Sequence, residues 1–341
     1  MESTLIIFGT RPEYLKLLPI IQQFHDNNFM YKTIYIQQHD KINEIMNADI
    51  IKIPIILSDS TERLCNIGEQ ILSKLSPYLQ KYTQIIVQGD TATAFYSTLV
   101  AFQLKKKIIH IEAGLRTYDL ERPFPEEGYR QMISRMATIH FTPHVDSSEL
   151  LIKEKVQGKI FTVGNTILDL ISSYQLKCIF TNLVIITFHR RENWDKIDIF
   201  LDGLRELIKI TPNIQYIWYL HPNPELQQKV KSKIGNLSQI QIVEPCNHIT
   251  FTKQIAICQF LITDSGGIQE EASFLGKHCI VLRASTERNH IPTQYITILE
   301  NYSKLCEIYK TLSFLPLKPC NVYGNGNASE QIIDILLLES N

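Results

Sequence analysis

The sequence predicts an α/β protein made of two doubly wound, Rossmann-like domains. Short runs rich in Ile and Val alternate with segments of helical periodicity along the whole chain, which is typical of repeated βα units. These runs do not alternate apolar with polar residues, which indicates parallel strands buried on both faces. A chain of 341 residues is longer than a single hydrophobic core usually accommodates, so two domains are expected. A single (β/α)₈ barrel is disfavoured because the units outnumber eight and restart after a break.

The individual elements follow from the same patterns. Helices are predicted at residues 91–105, 197–210 and 248–258, and another includes Ile67, Ile71 and Leu75. Asp59-Ser-Thr-Glu62 has the form of a capping arrangement for the helix around Ile67. The predicted strands are residues 4–8, 32–37, 84–88, 107–112, 138–142, 159–163, 183–188, 215–220, 240–243, 259–263, 278–282 and 294–299.

The domain boundary is predicted where this regularity fades. Periodicity is weak over residues 170–182. We therefore predict a first domain at 1–172 and a second at 173–322, followed by a tail at 323–341 that starts as a loop and ends as a helix.

Composition excludes several classes of protein. Apolar residues make up 44% and charged residues 20%, with a net charge of −1, so neither nucleic acid nor an anionic membrane surface is an expected partner. No apolar run approaches the ~20 residues that span a bilayer. The first strand follows the N-terminus without a basic segment, so no signal peptide is expected. Seven cysteines without a CxxC pair argue against a zinc site or disulfide framework and favour a reducing, cytoplasmic compartment.

One stretch has the composition of a phosphate site. Residues 263–272, Thr-Asp-Ser-Gly-Gly-Ile-Gln-Glu-Glu-Ala, follow an apolar strand and open a helical pattern. Ser265, Gly266 and Gly267 would present backbone N–H groups at a positive helix end, which suits an anion. Glu271 lies one turn further on, where it could reach a ribose hydroxyl. An ordinary βα turn uses the same residue types, so this stretch alone leaves the two interpretations equal.

The first domain places carboxylates after its strands. Ligands of open α/β sheets bind at the carboxyl ends of the strands. Asp90, Glu112 and Glu126 are expected there, although Asp90 could equally be a helix N-cap and Glu126 a partner of the helix dipole. Glu112 ends a strand inside the sheet, where an unpaired carboxylate is costly, so it needs a partner or a function. The cations expected nearby are Arg11, Lys16, Arg116 and Arg130.

The second domain adds groups suited to a nucleotide. His189 ends a strand beside two arginines and is either an acid, base or phosphate ligand or an ordinary loop histidine. Phe251 is either a core residue or an aromatic side chain against which a nucleobase packs. Arg288 adds a cation. No GxGxxG follows the first strand and no GxxxxGK[ST] occurs. Carboxylates in one domain and a phosphate nest in the other suit a nucleotide held in a cleft between them.

These residues carry a resemblance to a known family. Nine strings fall in that family's order and cover nearly the whole chain, and together they resemble the non-hydrolysing UDP-N-acetylglucosamine 2-epimerases. The strings are Gly9-Thr-Arg-Pro-Glu13, Gln88-Gly-Asp-Thr91, Glu112-Ala-Gly-Leu-Arg-Thr117, Pro123-Phe-Pro-Glu-Glu-Gly128, His189-Arg-Arg-Glu-Asn193, His221-Pro-Asn-Pro224, Thr263-Asp-Ser-Gly-Gly-Ile-Gln-Glu-Glu271, Thr286-Glu-Arg288 and Tyr323-Gly-Asn-Gly-Asn-Ala-Ser329.

The resemblance implies a fold and a reaction. The fold would be that of the GT-B glycosyltransferases, with the helix of 323–341 packed back on the N-terminal domain. The reaction would interconvert UDP-GlcNAc and UDP-ManNAc without cofactor or metal, through anti-elimination of UDP to 2-acetamidoglucal and its re-addition. The family tends to form homodimers.

It also implies roles for residues of this sequence. Asp90, Glu112 and Glu126 would supply the base and the acid, and which does which stays open. His189 would assist the departure of UDP, and a protonated imidazole is one way to do so. The implied UDP-sugar ligands are Arg11, Lys16, Gln38, Arg130, Phe251, Ser265, Gly266, Gly267, Glu271 and Arg288.

The sequence departs from the family at two places. Gln38-His39-Asp40 replaces Gln-His-Arg, which puts activation by a second UDP-GlcNAc in doubt, and Asn289-His290 replaces Pro-Glu after Arg288. Alternatives therefore stay open. The same chemistry could act on a modified UDP sugar such as a 6-deoxy-L-hexosamine for a surface glycan, or the chain could be a hydrolysing 2-epimerase that releases ManNAc. A GT-B glycosyltransferase and a non-catalytic UDP-sugar sensor are the remaining alternatives.

Overall fold

The computed structural model describes residues 3–37, 42, 50–57, 62–286, 288 and 290–339. The chain divides into two compact units. Unit one comprises Met1–Ser173 together with Tyr323–Asn341, and unit two comprises Tyr174–Val322. Among the described residues, no helix has both the length and the apolar character needed to cross a membrane.

Unit one is a seven-stranded parallel sheet covered by helices. The strand order is β3-β2-β1-β4-β5-β6-β7, a doubly wound order with its first crossover beside β1. Its elements are β1 Thr4–Phe8, α1 Arg11–Asp26, β2 Tyr31–Gln37, β3 Ile51–Pro54, α2 Arg63–Leu79, β4 Gln84–Gln88, α3 Ala92–Gln103, β5 Lys107–Ile111, α4 Glu126–Met136, β6 Ile139–Thr142, α5 Val145–Lys153, β7 Lys159–Thr162 and α6 Thr166–Ser173.

The strand β1 illustrates why these runs are apolar throughout. Leu5 and Ile7 enter one hydrophobic core, while Ile6 and Phe8 enter the core on the other face of the sheet. Successive side chains of a strand point to opposite faces, so a sheet covered on both faces needs an unbroken apolar run. Burying each such side chain contributes about 1.5–3 kcal/mol.

Unit two repeats the arrangement with six parallel strands in the order β10-β9-β8-β11-β12-β13. On α7 the buried apolar residues recur at helical spacing, and Phe200 packs against Phe188 of β8 with ring centroids 5.5 Å apart. The elements are β8 Leu183–Phe188, α7 Ile197–Ile210, β9 Gln215–Leu220, α8 Pro224–Ile234, β10 Ile240–Val243, α9 His248–Ile257, β11 Phe260–Thr263, α10 Gly266–Phe274, β12 His278–Val281, β13 Ile296–Ile298 and α11 Leu305–Thr311.

The last helix, α12 (Ala328–Glu339), belongs to unit one. It packs against α1 and α6 and buries Ile332 and Leu336 in the same core as Ile20. Asp169 of α6 accepts hydrogen bonds from the backbone N–H groups of Ala328 (3.0 Å) and Ser329 (2.5 Å). A carboxylate from another helix therefore caps α12.

The structure confirms the predicted fold class and each of the twelve predicted strands, whose ends agree to within two residues. One strand, β3, was missed. It is a short edge strand, it ends in Pro54, and it is only partly buried, so it lacks the apolar run that marks the other strands. The predicted capping arrangement before α2 lies mostly outside the described residues, and Glu62 makes no side-chain cap hydrogen bond.

Candidate active site

The centre of the site in unit one is Glu112, which immediately follows β5. Its oxygen Oε2 accepts hydrogen bonds from both the Lys16 ammonium group and the Gln88 side-chain amide. Gln88 ends β4 and pairs in register with Ile111, so the sheet itself brings the amide beside the carboxylate. Glu112 is only 8% exposed. The predicted need of this buried carboxylate for a partner is met by one cation and one amide.

The backbone at Glu112 is strained. Its φ is +62°, in the left-handed region that costs a non-glycine residue about 1–2 kcal/mol. Gly114, two residues further along the turn, has φ +85°, and a Cβ there would lie 2.5 Å from the carbonyl oxygen of Ser147. Strained residues of this kind persist at functional sites when the surrounding structure over-determines them. The turn after β5 thus holds the Glu112 side chain at a cost in backbone energy.

Asp90 follows β4, the strand next to β5, and it is not the helix cap that the sequence allowed. Thr91 is the N-cap of α3, since its side chain accepts from the N–H of Ala94 at 3.1 Å. Asp90 instead forms an ion pair with Arg130 of α4, with 2.7 Å between Oδ2 and Nε. The helix-cap interpretation of Asp90 was therefore wrong, and its carboxylate stays a candidate for chemistry.

The turn that carries Asp90 is held by a buried histidine. Gly89 has φ +70°, and its carbonyl oxygen lies 2.8 Å from Nε2 of His110 on β5. Burial lowers the pKa of His110 to about 3, so the imidazole is neutral near pH 7. Since the carbonyl can only accept, Nε2 carries the proton and donates it.

Glu13 is a buried residue that the sequence analysis did not select as a site residue. Its carboxylate accepts from the backbone N–H groups of Gly9 (3.0 Å) and Thr10 (2.7 Å) and from the Thr91 hydroxyl (2.5 Å). It therefore ties the loop after β1 to the turn after β4, and burial raises its pKa. The available signal was the Thr10-x-x-Glu13 capping box. Arg11 is the first residue of α1.

The two carboxylates that open α4 have different environments. Glu127 is fully buried and accepts from the backbone N–H groups of Thr117 (2.9 Å) and Tyr118 (3.2 Å) and from the Gln131 amide (2.9 Å). Burial acts to raise the pKa of Glu127, but these hydrogen bonds and the charge of Arg130 lower it below its usual value. Glu127 therefore holds the loop before α4.

Glu126, the first residue of α4, is only partly buried. Because its neighbour supplies the structural carboxylate, Glu126 stays the candidate for chemistry. Arg116, expected near these carboxylates, instead forms a two-pronged ion pair with Glu154 at 2.8 and 2.9 Å, and its side chain is fully buried.

In unit two, the stretch 263–272 runs from the last residue of β11 into α10. Ser265 is the N-cap, and its hydroxyl accepts from the N–H of Ile268 at 3.5 Å. Helix geometry leaves the N–H groups of Gly266 and Gly267 without intrahelical partners at the positive end of the dipole. A Cβ at Gly267 would meet no described atom within 4 Å. This end of α10 therefore has the geometry and the approach that an anion requires.

A buried aspartate fixes the neighbouring strand end. Asp264 follows β11 and accepts from the backbone N–H groups of His189 (3.0 Å) and Arg190 (2.9 Å), which follow β8. The side-chain amide of Asn193 donates to the same carboxylate at 3.2 Å. Burial lowers the pKa of His189, against an opposing effect of Asp264, and the nearby His221 lowers it further. This lowered pKa disfavours the protonated imidazole, which was one of the ways considered for His189 to assist the departure of UDP.

The predicted nucleoside ligands lie on α9 and α10. Glu271 of α10 contacts His248, the first residue of α9, with 3.1 Å between Oε2 and Nε2. Phe251, one turn along α9, is partly buried and packs edge-on against Tyr219 at 4.9 Å. The sequence analysis did not select His248, because nothing in its local pattern indicates which helix it faces.

Arg288 is held on α10 as well. Its guanidinium forms a buried ion pair with Glu270. The backbone N–H of Arg288 donates to the Thr286 hydroxyl (3.1 Å), which donates to Gln269 (2.8 Å). The predicted ligand Gln38, and with it Gln38-His39-Asp40, lies outside the described residues.

These features define an α/β protein with two Rossmann-like units, one carrying carboxylates at its strand ends and the other a helix end suited to phosphate. The sequence profile of the UDP-N-acetylglucosamine 2-epimerase family matches residues 22–337. The chain belongs to this family.

Relatives and solved structures agree with that assignment. The UDP-N-acetylglucosamine 2-epimerase of Campylobacter jejuni is 33% identical over 382 residues, covering 100% of this chain and 99% of that relative. A crystal structure of the Neisseria meningitidis UDP-GlcNAc 2-epimerase bound to UDP-GlcNAc has a TM-score of 0.87 and 29% identity, covering 98% of this chain and 100% of that chain. The S. aureus MnaA–UDP structure has a TM-score of 0.86 and 28% identity, covering 100% and 97%.

Proposed function

We propose that this protein epimerises UDP-GlcNAc to UDP-ManNAc at C2 by eliminating UDP and adding it back. The observation that carries the proposal is Glu112, a buried carboxylate held by Lys16 and Gln88 on a strained turn at the carboxyl end of the internal strand β5. Family membership and the UDP-GlcNAc 2-epimerase names of the relatives support the same reaction.

In the first step a carboxylate removes the C2 proton while the bond between C1 and the UDP oxygen breaks. The electron pair of the C2–H bond forms the C1–C2 double bond of 2-acetamidoglucal, and UDP leaves with the C1–O pair. In the second step UDP attacks C1 again and a proton returns to C2 on the other face. Inversion therefore needs a base on one face of the sugar and an acid on the other.

The carboxylates of unit one would supply both functions. Glu112 and Asp90 follow adjacent strands, and Glu126 opens α4, which also carries the Arg130 partner of Asp90. Lys16 and Gln88 orient Glu112, so its position does not depend on the substrate. We assign the pair of proton transfers to these three carboxylates without dividing the roles among them.

The groups of unit two would bind the UDP portion. The N–H groups of Gly266 and Gly267 would stabilise the negative charge that develops on the departing diphosphate. His189 would donate a hydrogen bond to it. Glu271 would bind the ribose and Phe251 would pack near the uracil. The further ligands proposed are Arg11, Lys16, Gln38, Arg130, Ser265 and Arg288.

The experiment is proton NMR of UDP-GlcNAc with the protein in D₂O. We expect deuterium to appear at C2 together with the anomeric signal of UDP-ManNAc, and no free sugar to accumulate. Free ManNAc and UDP would indicate the hydrolysing reaction instead. Exchange at C2 of a 6-deoxy-L-hexosamine derivative, but not of UDP-GlcNAc, would indicate the modified-sugar alternative, and absence of exchange with either substrate would contradict the proposal.

We also propose that the protein acts in the cytoplasm as a homodimer. Its seven cysteines are all free, which supports a reducing compartment. The tendency of this family to form homodimers supports the dimer. Light scattering after gel filtration should give twice the chain mass of 39.4 kDa. A mass near 39.4 kDa would contradict the dimer.

A further inference from the structure

Three side chains of unit two form a continuous hydrogen-bonded chain. The Tyr174 hydroxyl lies 3.0 Å from Nδ1 of His248, and Nε2 of His248 lies 3.1 Å from Oε2 of Glu271. His248 and Glu271 are 7% and 9% exposed. Tyr174 precedes β8, His248 begins α9 and Glu271 lies within α10, so the contacts join three segments far apart in sequence.

The direction of each hydrogen bond follows from the chemistry of the groups. An ionised carboxylate can only accept, so Nε2 of His248 donates to Glu271. In the neutral imidazole the other nitrogen is then an acceptor, and Nδ1 accepts from the Tyr174 hydroxyl. One tautomer thus satisfies the whole chain. The hydroxyl fixes the ring, and the ring fixes the carboxylate, in the manner in which outer partners orient a metal-ligating histidine.

We propose that His248 is a positioning residue that holds Glu271 in place for the ribose hydroxyls of UDP, with Tyr174 holding His248. The inference rests on the proposed function, since it takes Glu271 as the ribose ligand. A glutamate side chain has three rotatable bonds and loses their freedom on binding. A carboxylate already fixed by His248 has less freedom left to lose, so the same contact with ribose yields more affinity.

The placement of His248 adds a second consequence. Phe251, the proposed contact for uracil, lies three residues further along α9, on the same face of the helix as His248. The first turn of α9 would thus serve the base directly and the ribose through Glu271. Asn247 caps this turn by accepting from the N–H of Thr250 at 2.9 Å.

The test removes one ribose hydroxyl of UDP at a time. We would measure the binding of UDP, 2′-deoxy-UDP and 3′-deoxy-UDP by calorimetry for the full-length protein and its variants. The unmodified protein should prefer UDP over at least one deoxy analogue by about 10- to 100-fold, as for one hydrogen bond to a charged group. His248→Ala should weaken UDP binding by about 5- to 20-fold and leave that analogue's affinity unchanged, so that the preference collapses.

Further variants separate positioning from damage to the fold. His248→Gln keeps an N–H donor and should recover part of the preference, and Tyr174→Phe should reduce the preference by a smaller factor than His248→Ala. In a Glu271→Ala background, His248→Ala should have no added effect on UDP binding. Lys253→Ala, an exposed change on α9, is the matched control and should leave all affinities unchanged.

The contradicting outcomes are distinct. If His248→Ala weakens UDP and both deoxy analogues equally, the residue only supports the fold and the inference is wrong. If the unmodified protein binds UDP without regard to either hydroxyl, Glu271 is not the ribose ligand and the inference is again wrong. If the unmodified protein does not bind UDP, the proposed function itself fails.

Discussion

Carboxylates stand at the strand ends of both units, but they have different environments. In unit one, Glu112 accepts from the side chains of Lys16 and Gln88, and Asp90 pairs with Arg130 while its side chain stays 24% exposed. In unit two, Asp264 is fully buried and accepts from two backbone N–H groups and one side-chain amide. The same βα architecture therefore places candidate catalytic carboxylates in unit one and a structural carboxylate in unit two.

The difference teaches that a carboxylate that accepts from several backbone N–H groups serves the scaffold. A carboxylate surrounded by several N–H donors is fixed and has little capacity left for a substrate. Glu127, which accepts from the backbone N–H groups of Thr117 and Tyr118, is a further example. Substitutions that remove charge but keep shape can test this division.

The largest effect is expected at Glu112. Glu112→Gln should lower the rate of C2 proton exchange by about 10²- to 10⁴-fold, because an amide cannot act as the base or acid. Exchange is read by NMR in D₂O, with far-UV circular dichroism to check folding. Glu149→Gln, an exposed change on α5, is the control that should retain full activity. Near-normal exchange in Glu112→Gln would contradict the assignment.

The next effect concerns stability at Asp264. Asp264→Asn presents an amide NH₂ to donors that need an acceptor, which should lower the free energy of unfolding of unit two by about 3 kcal/mol. Both tryptophans, Trp194 and Trp218, lie in unit two, so their fluorescence in urea follows that unit. The matched change in unit one, Asp90→Asn, should cost about 1 kcal/mol or less, and it is followed by far-UV circular dichroism because both tryptophans lie in unit two. Equal losses would remove the proposed contrast.

A third prediction concerns His110, the buried histidine that holds the turn carrying Asp90. The pKa of His110 is about 3 in the folded protein and about 6.5 when unfolded, so the folded state binds fewer protons and loses stability as pH falls below 6.5. The loss is about 1.4 kcal/mol per pH unit. His110→Gln keeps a donor for Gly89 but does not titrate.

The stability difference between the unmodified protein and His110→Gln should therefore shrink by about 2 kcal/mol from pH 7 to pH 5. Urea unfolding followed by circular dichroism at the two pH values measures it. A difference that does not change with pH would show that the pKa of His110 is the same in the folded and unfolded states, and would contradict the prediction.

The smallest effect separates the adjacent glutamates. Glu127→Gln should lower the free energy of unfolding by about 1–2 kcal/mol, because one amide oxygen replaces two acceptors among buried donors. Glu126→Gln should change stability by about 0.5 kcal/mol or less and lower the exchange rate instead. The reverse pattern would assign the scaffold role to Glu126.

Much of the architecture could be predicted because it depends on local pattern. Strands such as β1 and β8 are runs of Ile, Leu and Val, since both sheet faces must be covered. The edge strand β3 was missed because an edge needs no such run. The position of the turn at 265–267 followed from its glycines. These signals occupy a few neighbouring residues, so they can be recognised from the sequence alone.

The roles of single polar residues depended on the tertiary structure. Thr91 rather than Asp90 caps α3, Glu127 rather than Glu126 anchors a loop, and Glu271 faces His248. Each outcome depends on which donors and acceptors converge from segments far apart in the chain, and periodicity carries no information about that convergence. The sequence by itself determined two domains of repeated βα units, with polar residues after their strands. The packing of distant segments decided which of those polar groups are scaffold and which remain for chemistry.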